Sequence, residues 1–127
     1  MIIKLFEKYT DIKDVKETIF IKAIDTGNIN VIKFFVNKGY DINGEKVLYT
    51  SSFDDKVFRY LLTKKPDIKI NYEFRERMRN SEVQKALIDF NYGELIYKNV
   101  GFHDKLRDDP KYKNVVEMYE DAGKYNM

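Results

Sequence analysis

The sequence predicts an all-α fold, a stack of about three degenerate helix-turn-helix repeats with a capping helix at each end. Three observations carry this expectation. Apolar segments recur along the 127 residues at a constant spacing of 26. Within each segment the apolar positions follow a helical period. Polar, glycine or proline residues bracket the segments where helices start and stop.

The segments are Asn30–Gly39, Lys56–Lys65 and Glu82–Asn91. Val31, Val57 and Val83 are 26 residues apart, as are Phe35, Leu61 and Leu87, and Val36, Leu62 and Ile88. In each copy a valine is followed by apolar residues one or three, then four and five positions on, which makes one broad apolar face. Asn28, Asp54 and Asn80 or Ser81 stand where a side-chain oxygen can accept from the free N–H groups of a first turn. Gly39 can close the first of these helices in a left-handed conformation, and Asn91 the third. Pro66 is expected to end the second.

A shorter helix is expected before each of these, over residues 16–26, 45–52 and 72–79. Ile19, Phe20, Ala23 and Ile24 form the apolar face of the first, Val47 and Leu48 that of the second, and Phe74 and Met78 that of the third. Gly27 breaks the chain before Asn28. Two short helices cannot bury both apolar faces alone, so the next pair must complete the core. Ile2–Tyr9 reads as a further helix covering the open end. Residues 1–93 therefore form the repeat stack. Residues 94–127 depart from the pattern and read as a C-terminal capping or binding segment of the same domain. There Asp108-Asp109-Pro110 signals a helix start, with a last helix over residues 110–122 and Gly123 as its stop.

Composition narrows the classes of function. Cysteine is absent, which excludes disulfides and thiolate metal sites. Net charge is +2, too small by itself to mark a nucleic-acid binder. Apolar runs fall far short of the roughly 20 residues that span a bilayer, and charges interrupt the N-terminal apolar stretch, unlike a signal peptide. No membrane association and a cytoplasmic location are expected. The abundance of Lys, Asn and Ile suggests an AT-rich genome, such as that of a low-GC bacterium, a phage or a large DNA virus.

The stretch Ala23–Asn43 resembles the heart of an ankyrin repeat. Ala23, Gly27, Gly39, Asp41, Ile42 and Asn43 fall where that family's pattern places them, with Tyr40 in place of the usual small residue. The second copy keeps Asp67 and Ile68 but neither glycine. The third keeps little beyond its apolar helix. The Thr-Pro-Leu-His start is missing throughout, and the period is 26 against about 33 in the family. The resemblance covers residues 16–93. It implies a binding scaffold whose projecting fingers are cut to short loops, and it implies no particular partner.

Few residues suggest catalysis. His103, the single histidine, has Asp104 beside it as a possible orienting group for a general base. No serine stands in a nucleophile-elbow context, and the alternative for His103 is a surface or capping role. The acidic pairs Asp54-Asp55 and Asp108-Asp109 suit helix starts by dipole complementarity and match no calcium-loop spacing. The expectation is therefore no enzyme, no cofactor and no metal.

Binding residues are easier to nominate. Three of the five arginines lie within Arg75–Arg79. At helical spacing Arg75 and Arg79 share a face and suit an acidic protein surface or nucleic acid. The alternative is a solvated helix with Glu73–Arg77 and Glu76–Arg79 pairs. Tyr40, Tyr49, Phe53 and Tyr72 are expected on or near one side, where first helices and loops of such stacks meet partners. Alternatively Phe53 is core, and Tyr40 and Tyr72 cover loop backbones. The leading expectation is a protein-protein interaction module, an adaptor or a viral or phage inhibitor of a host protein. Nucleic-acid association through Arg75–Arg79 and the lysines is the second.

Overall fold

The computed structural model describes residues 12–125. Among them are nine α-helices and no strand. The expected helix over Ile2–Tyr9 lies outside the described residues. In chain order, α1 (Ile12–Asp25) and α2 (Ile29–Asn37) are the first two-helix unit, α3 (Glu45–Ser51) and α4 (Asp55–Leu62) the second, and α5 (Tyr72–Arg77) and α6 (Ser81–Asp89) the third. Then follow α7 (Gly93–Asn99), the single turn α8 (Asp104–Arg107) and α9 (Lys113–Tyr125). No helix of the described residues is long and apolar enough to cross a membrane.

The 26-residue period reappears in the backbone. Asn28, Asp54 and Asn80 each cap a second helix, their side chains accepting from N–H groups of its first turn. At the other ends Gly39 (φ 88°), Lys65 (φ 52°) and Asn91 (φ 72°) all adopt the left-handed conformation. That conformation turns the chain out of the helix and lets backbone N–H groups reach its last carbonyls. In the second copy the stop therefore comes before Pro66, with α4 ending at Leu62.

Packing explains why apolar residues come in adjacent pairs. Val57 and Leu61 of α4 join Phe20, Ile24, Ile32 and Val47 in one core cluster. Phe58 and Leu62, one position further round, join Leu48, Phe74, Met78, Val83 and Leu87 in the next. The second pair thus buries one strip with the residues before it and another with those after it. Full burial of each such side chain contributes about 1.5–3 kcal/mol. The first helices α1, α3 and α5 pack in one row, and α4 packs on α6 in the other. Side-chain bonds bridge equivalent levels: Asn71 Nδ2 donates to Glu45 Oε2 at 3.0 Å, and Tyr92 OH donates to the Pro66 carbonyl at 2.7 Å.

The C-terminal segment completes this core. Ile96, Phe102, Leu106, Tyr112 and Val116 are buried in the same cluster as Leu87 and Met78. Gln84 of α6, 1% exposed, ties it down: Nε2 donates to the carbonyls of Met78 (2.8 Å) and Gly101 (3.0 Å), and Oε1 accepts from the His103 N–H (2.8 Å). The last helix begins at Lys113, later than expected, because Asp109-Pro110 occupies the preceding turn. Gly123 lies within α9 and does not stop it. A Cβ there would fall 1.8 Å from the Tyr97 hydroxyl, so glycine lets α9 approach α7 closely.

Candidate interaction surface

The turn between α3 and α4 carries an aromatic residue that the core does not take up. Phe53 is 61% exposed, although it follows the buried pair Ser51-Ser52. Both serines bond back to carbonyls of their own helix, Ser51 Oγ to Leu48 O at 2.9 Å and Ser52 Oγ to Tyr49 O at 2.6 Å. These bonds hold the turn, and the turn projects Phe53.

Arg77, at the end of α5, fixes the ring. Its guanidinium carbon lies 3.9 Å from the Phe53 centroid. The same group donates through Nη2 to the Ser52 carbonyl (3.0 Å) and through Nε to Ser52 Oγ (3.1 Å). Tyr49 meets the Phe53 ring edge-to-face at 5.3 Å. The outcome is a ring that is open to solvent yet held between an arginine and a tyrosine. Arg77 thus turns to Ser52 and Phe53, where a partnership with Glu73 was expected.

The other nominated residues fall in different places. Tyr72, at the start of α5, is 76% exposed. Arg75 is exposed on α5. Arg79 is exposed too but lies beyond the Met78 cap that ends this short helix, and it pairs with Glu76 at 3.4 Å. Tyr40 packs edge-to-face on Phe35 (4.9 Å) and Phe20 (6.0 Å) and so belongs to the first core cluster. The structure brings together Tyr49, Phe53 and Arg77, and places Tyr40 in the packing of the first pair.

His103 is the N-cap of α8, its Nδ1 accepting from the Lys105 N–H at 3.1 Å. Its neighbour Asp104 pairs with Arg107 at 3.5 Å. Among the described residues no group of His, Asp or Glu is arranged to hold a metal ion.

A second polar centre joins α4 and α6 to the tail. Asp89 Oδ2 accepts from Arg59 Nη1 (2.6 Å) and Tyr112 OH (3.0 Å), with Lys111 Nζ at 3.5 Å. Burial opposes the ionised form of Asp89, but the hydrogen bonds from Arg59 and Tyr112 and the charge of Lys111 outweigh it and hold the carboxyl below the usual carboxylate range. Sequence reasoning missed Arg77, Gln84 and Asp89. Their partners are 17 or more residues away, except Met78, and no local pattern marks them. Comparison with protein-family models, curated proteins and solved structures finds no match for this chain.

Proposed function

We propose that this chain is a non-enzymatic protein-binding module of ankyrin-like construction, and that the Phe53–Arg77 face is its contact surface. The observation that carries this is the exposed Phe53 ring clamped by Arg77 and Tyr49. A solvent-facing aromatic already fixed in place loses little conformational freedom on binding, so its burial goes mainly into affinity. Tyr72 and Arg75 are also exposed on α5, apart from the Phe53–Arg77 cluster, and stand as further candidate contacts. The recurrence of caps and left-handed stops every 26 residues supports the repeat reading.

The test is capture from lysate on immobilised protein, comparing the natural sequence with Phe53→Ser combined with Tyr72→Ser. Both side chains are exposed, so the fold is retained and circular dichroism verifies it. The expected result is a stoichiometric protein partner held by the natural sequence and lost with the variant. Equal capture by both, or no partner, contradicts the reading.

Nucleic-acid association through Arg75 and Arg79 is the second reading, favoured by the exposure of both side chains. Glu73 and Glu76 on the same helix weaken the local field. It predicts binding that falls steeply with salt in a mobility-shift assay.

A further inference from the structure

The second-helix row carries another surface, independent of the Phe53–Arg77 face. On α2, Val31 and Phe34 are 38% and 55% exposed, one turn apart. Lys38 Nζ sits 5.5 Å from the Phe34 ring centre. On α4, Tyr60 is approached from both helices, by Lys33 Nζ and Lys64 Nζ, each 5.6 Å from its ring centre. The pattern is a repeat: Phe34 and Lys38 stand 26 residues before Tyr60 and Lys64. An aromatic with a lysine one turn later thus recurs at one level of the stack and the next.

The electrostatics are one-sided. Among the described residues Lys33, Lys38 and Lys64 have no ion-pair partner. Helix α2 carries no acidic residue. The two carboxylates at the start of α4 are committed, Asp54 to its cap and Asp55 to Arg59. Further along the row the charge is cancelled. Arg59 and Lys85 occupy the positions equivalent to Lys33. There Arg59 meets Asp55 and Asp89, and Lys85 meets Glu82 and Asp109. Lys33, Lys38 and Lys64 thus gather at α2 and the end of α4, around an apolar centre of Val31 and Phe34.

We propose that this face docks an acidic protein segment that also carries aliphatic side chains, such as an amphipathic helix with Glu or Asp beside Leu or Ile. The lysines supply charge complementarity, and Val31 and Phe34 supply an apolar seat that a bare polyanion does not use. A nucleic-acid strand fits worse on two counts. The Tyr60 ring is attended by lysines and is not free for base stacking. A long phosphate backbone running along the row would meet Asp89 and Asp109.

The experiment is a fluorescence-anisotropy titration of the full chain with a labelled amphipathic Glu/Leu peptide. Parallel arms use the same peptide with Lys for Glu, the same with Ala for Leu, a single-stranded oligonucleotide, and phosphatidylserine vesicles. The Glu/Leu peptide is expected to bind, to weaken as salt rises, and to outcompete every other arm. Lys33→Glu with Lys64→Glu, and separately Phe34→Ser, are expected to weaken it about tenfold or more. Lys33→Gln with Lys64→Gln provides a milder variant should charge reversal disturb folding. Phe53→Ser is expected to leave it unchanged, which separates this surface from the other. Absence of peptide binding, equal affinity in the lysine variants, or tighter binding of the oligonucleotide or vesicles overturns the proposal.

Discussion

The Arg77 guanidinium stacks on Phe53 and at the same time donates two hydrogen bonds to Ser52, the residue just before it. One side chain of the third pair thus both closes the turn of the second and presents its exposed ring. Arg77→Ala is expected to lower stability by about 1–3 kcal/mol, since it leaves the Ser52 carbonyl without its donor and removes the ring contact. Arg77→Lys should recover little of this, because an ammonium lacks the planar fork that makes both contacts. Urea denaturation of the three proteins measures it, and full rescue by lysine argues against the geometry.

Gln84 joins three backbone groups, the Met78 carbonyl before α6 and two groups of the C-terminal segment, the Gly101 carbonyl and the His103 N–H. Gln84→Leu keeps the volume but strands two carbonyls and one N–H. The expected loss is about 3 kcal/mol or more, as three groups lose their partner and each unsatisfied buried group costs about 1–3 kcal/mol. Gln84→Glu should cost at least as much, because it turns a carboxylate oxygen toward two carbonyls. Thermal melts of both variants check this; a neutral leucine variant contradicts the role assigned to Gln84.

Asp89 makes stability depend on acid. Its pKa is lowered in the folded state, so the unfolded chain takes up the proton first as pH falls. The contribution is fully present above the unfolded value of about 4 and is lost as pH falls below it, through the lower folded value. Asp89→Asn should destabilise the protein at neutral pH and flatten the stability curve below about pH 4. Denaturation midpoints measured from pH 7 downward test this, and parallel curves for the two proteins would falsify it.

Lys65 stands in the left-handed conformation that Gly39 adopts in the preceding copy. A β-carbon there costs about 1–2 kcal/mol. Lys65→Gly is expected to raise stability by about 1 kcal/mol, after the greater freedom of glycine in the unfolded chain is offset. A fall in the melting temperature contradicts this account of how α4 ends.

Much of the helical framework was legible in the sequence because its signals are local. Asn28, Asp54 and Asn80 announce the second helices through their own capping chemistry, and Gly39 announces a stop by the conformation it permits. The spacing of Val57, Phe58, Leu61 and Leu62 marks one broad apolar face, and only the packing divides it between two core clusters. Val31 shows the limit of that inference. It matches Val57 and Val83 in sequence but is exposed, because a periodic position is buried only where neighbouring helices cover it. Helices α7 and α8 left no periodic trace, since seven and four residues are too short for one and tertiary packing of Ile96 and Leu106 holds them. The Arg75–Arg79 cluster looked like one surface, yet α5 ends at Arg77 and sends that arginine toward Ser52. The paired Phe34–Lys38 and Tyr60–Lys64 motifs stood in the sequence at the repeat spacing. They were hidden by the assumption that second helices only build the core.

The Phe53–Arg77 face is proposed to bind a protein. The most direct measurement is calorimetric titration of the captured partner into the natural chain and into the Phe53→Ser, Tyr72→Ser variant. Affinity is expected to weaken by about tenfold or more, as befits removal of an aromatic anchor, while circular dichroism shows the helical fold retained and the melting temperature falls only as far as loss of the Arg77–Phe53 contact requires. Equal affinity in the two proteins contradicts it.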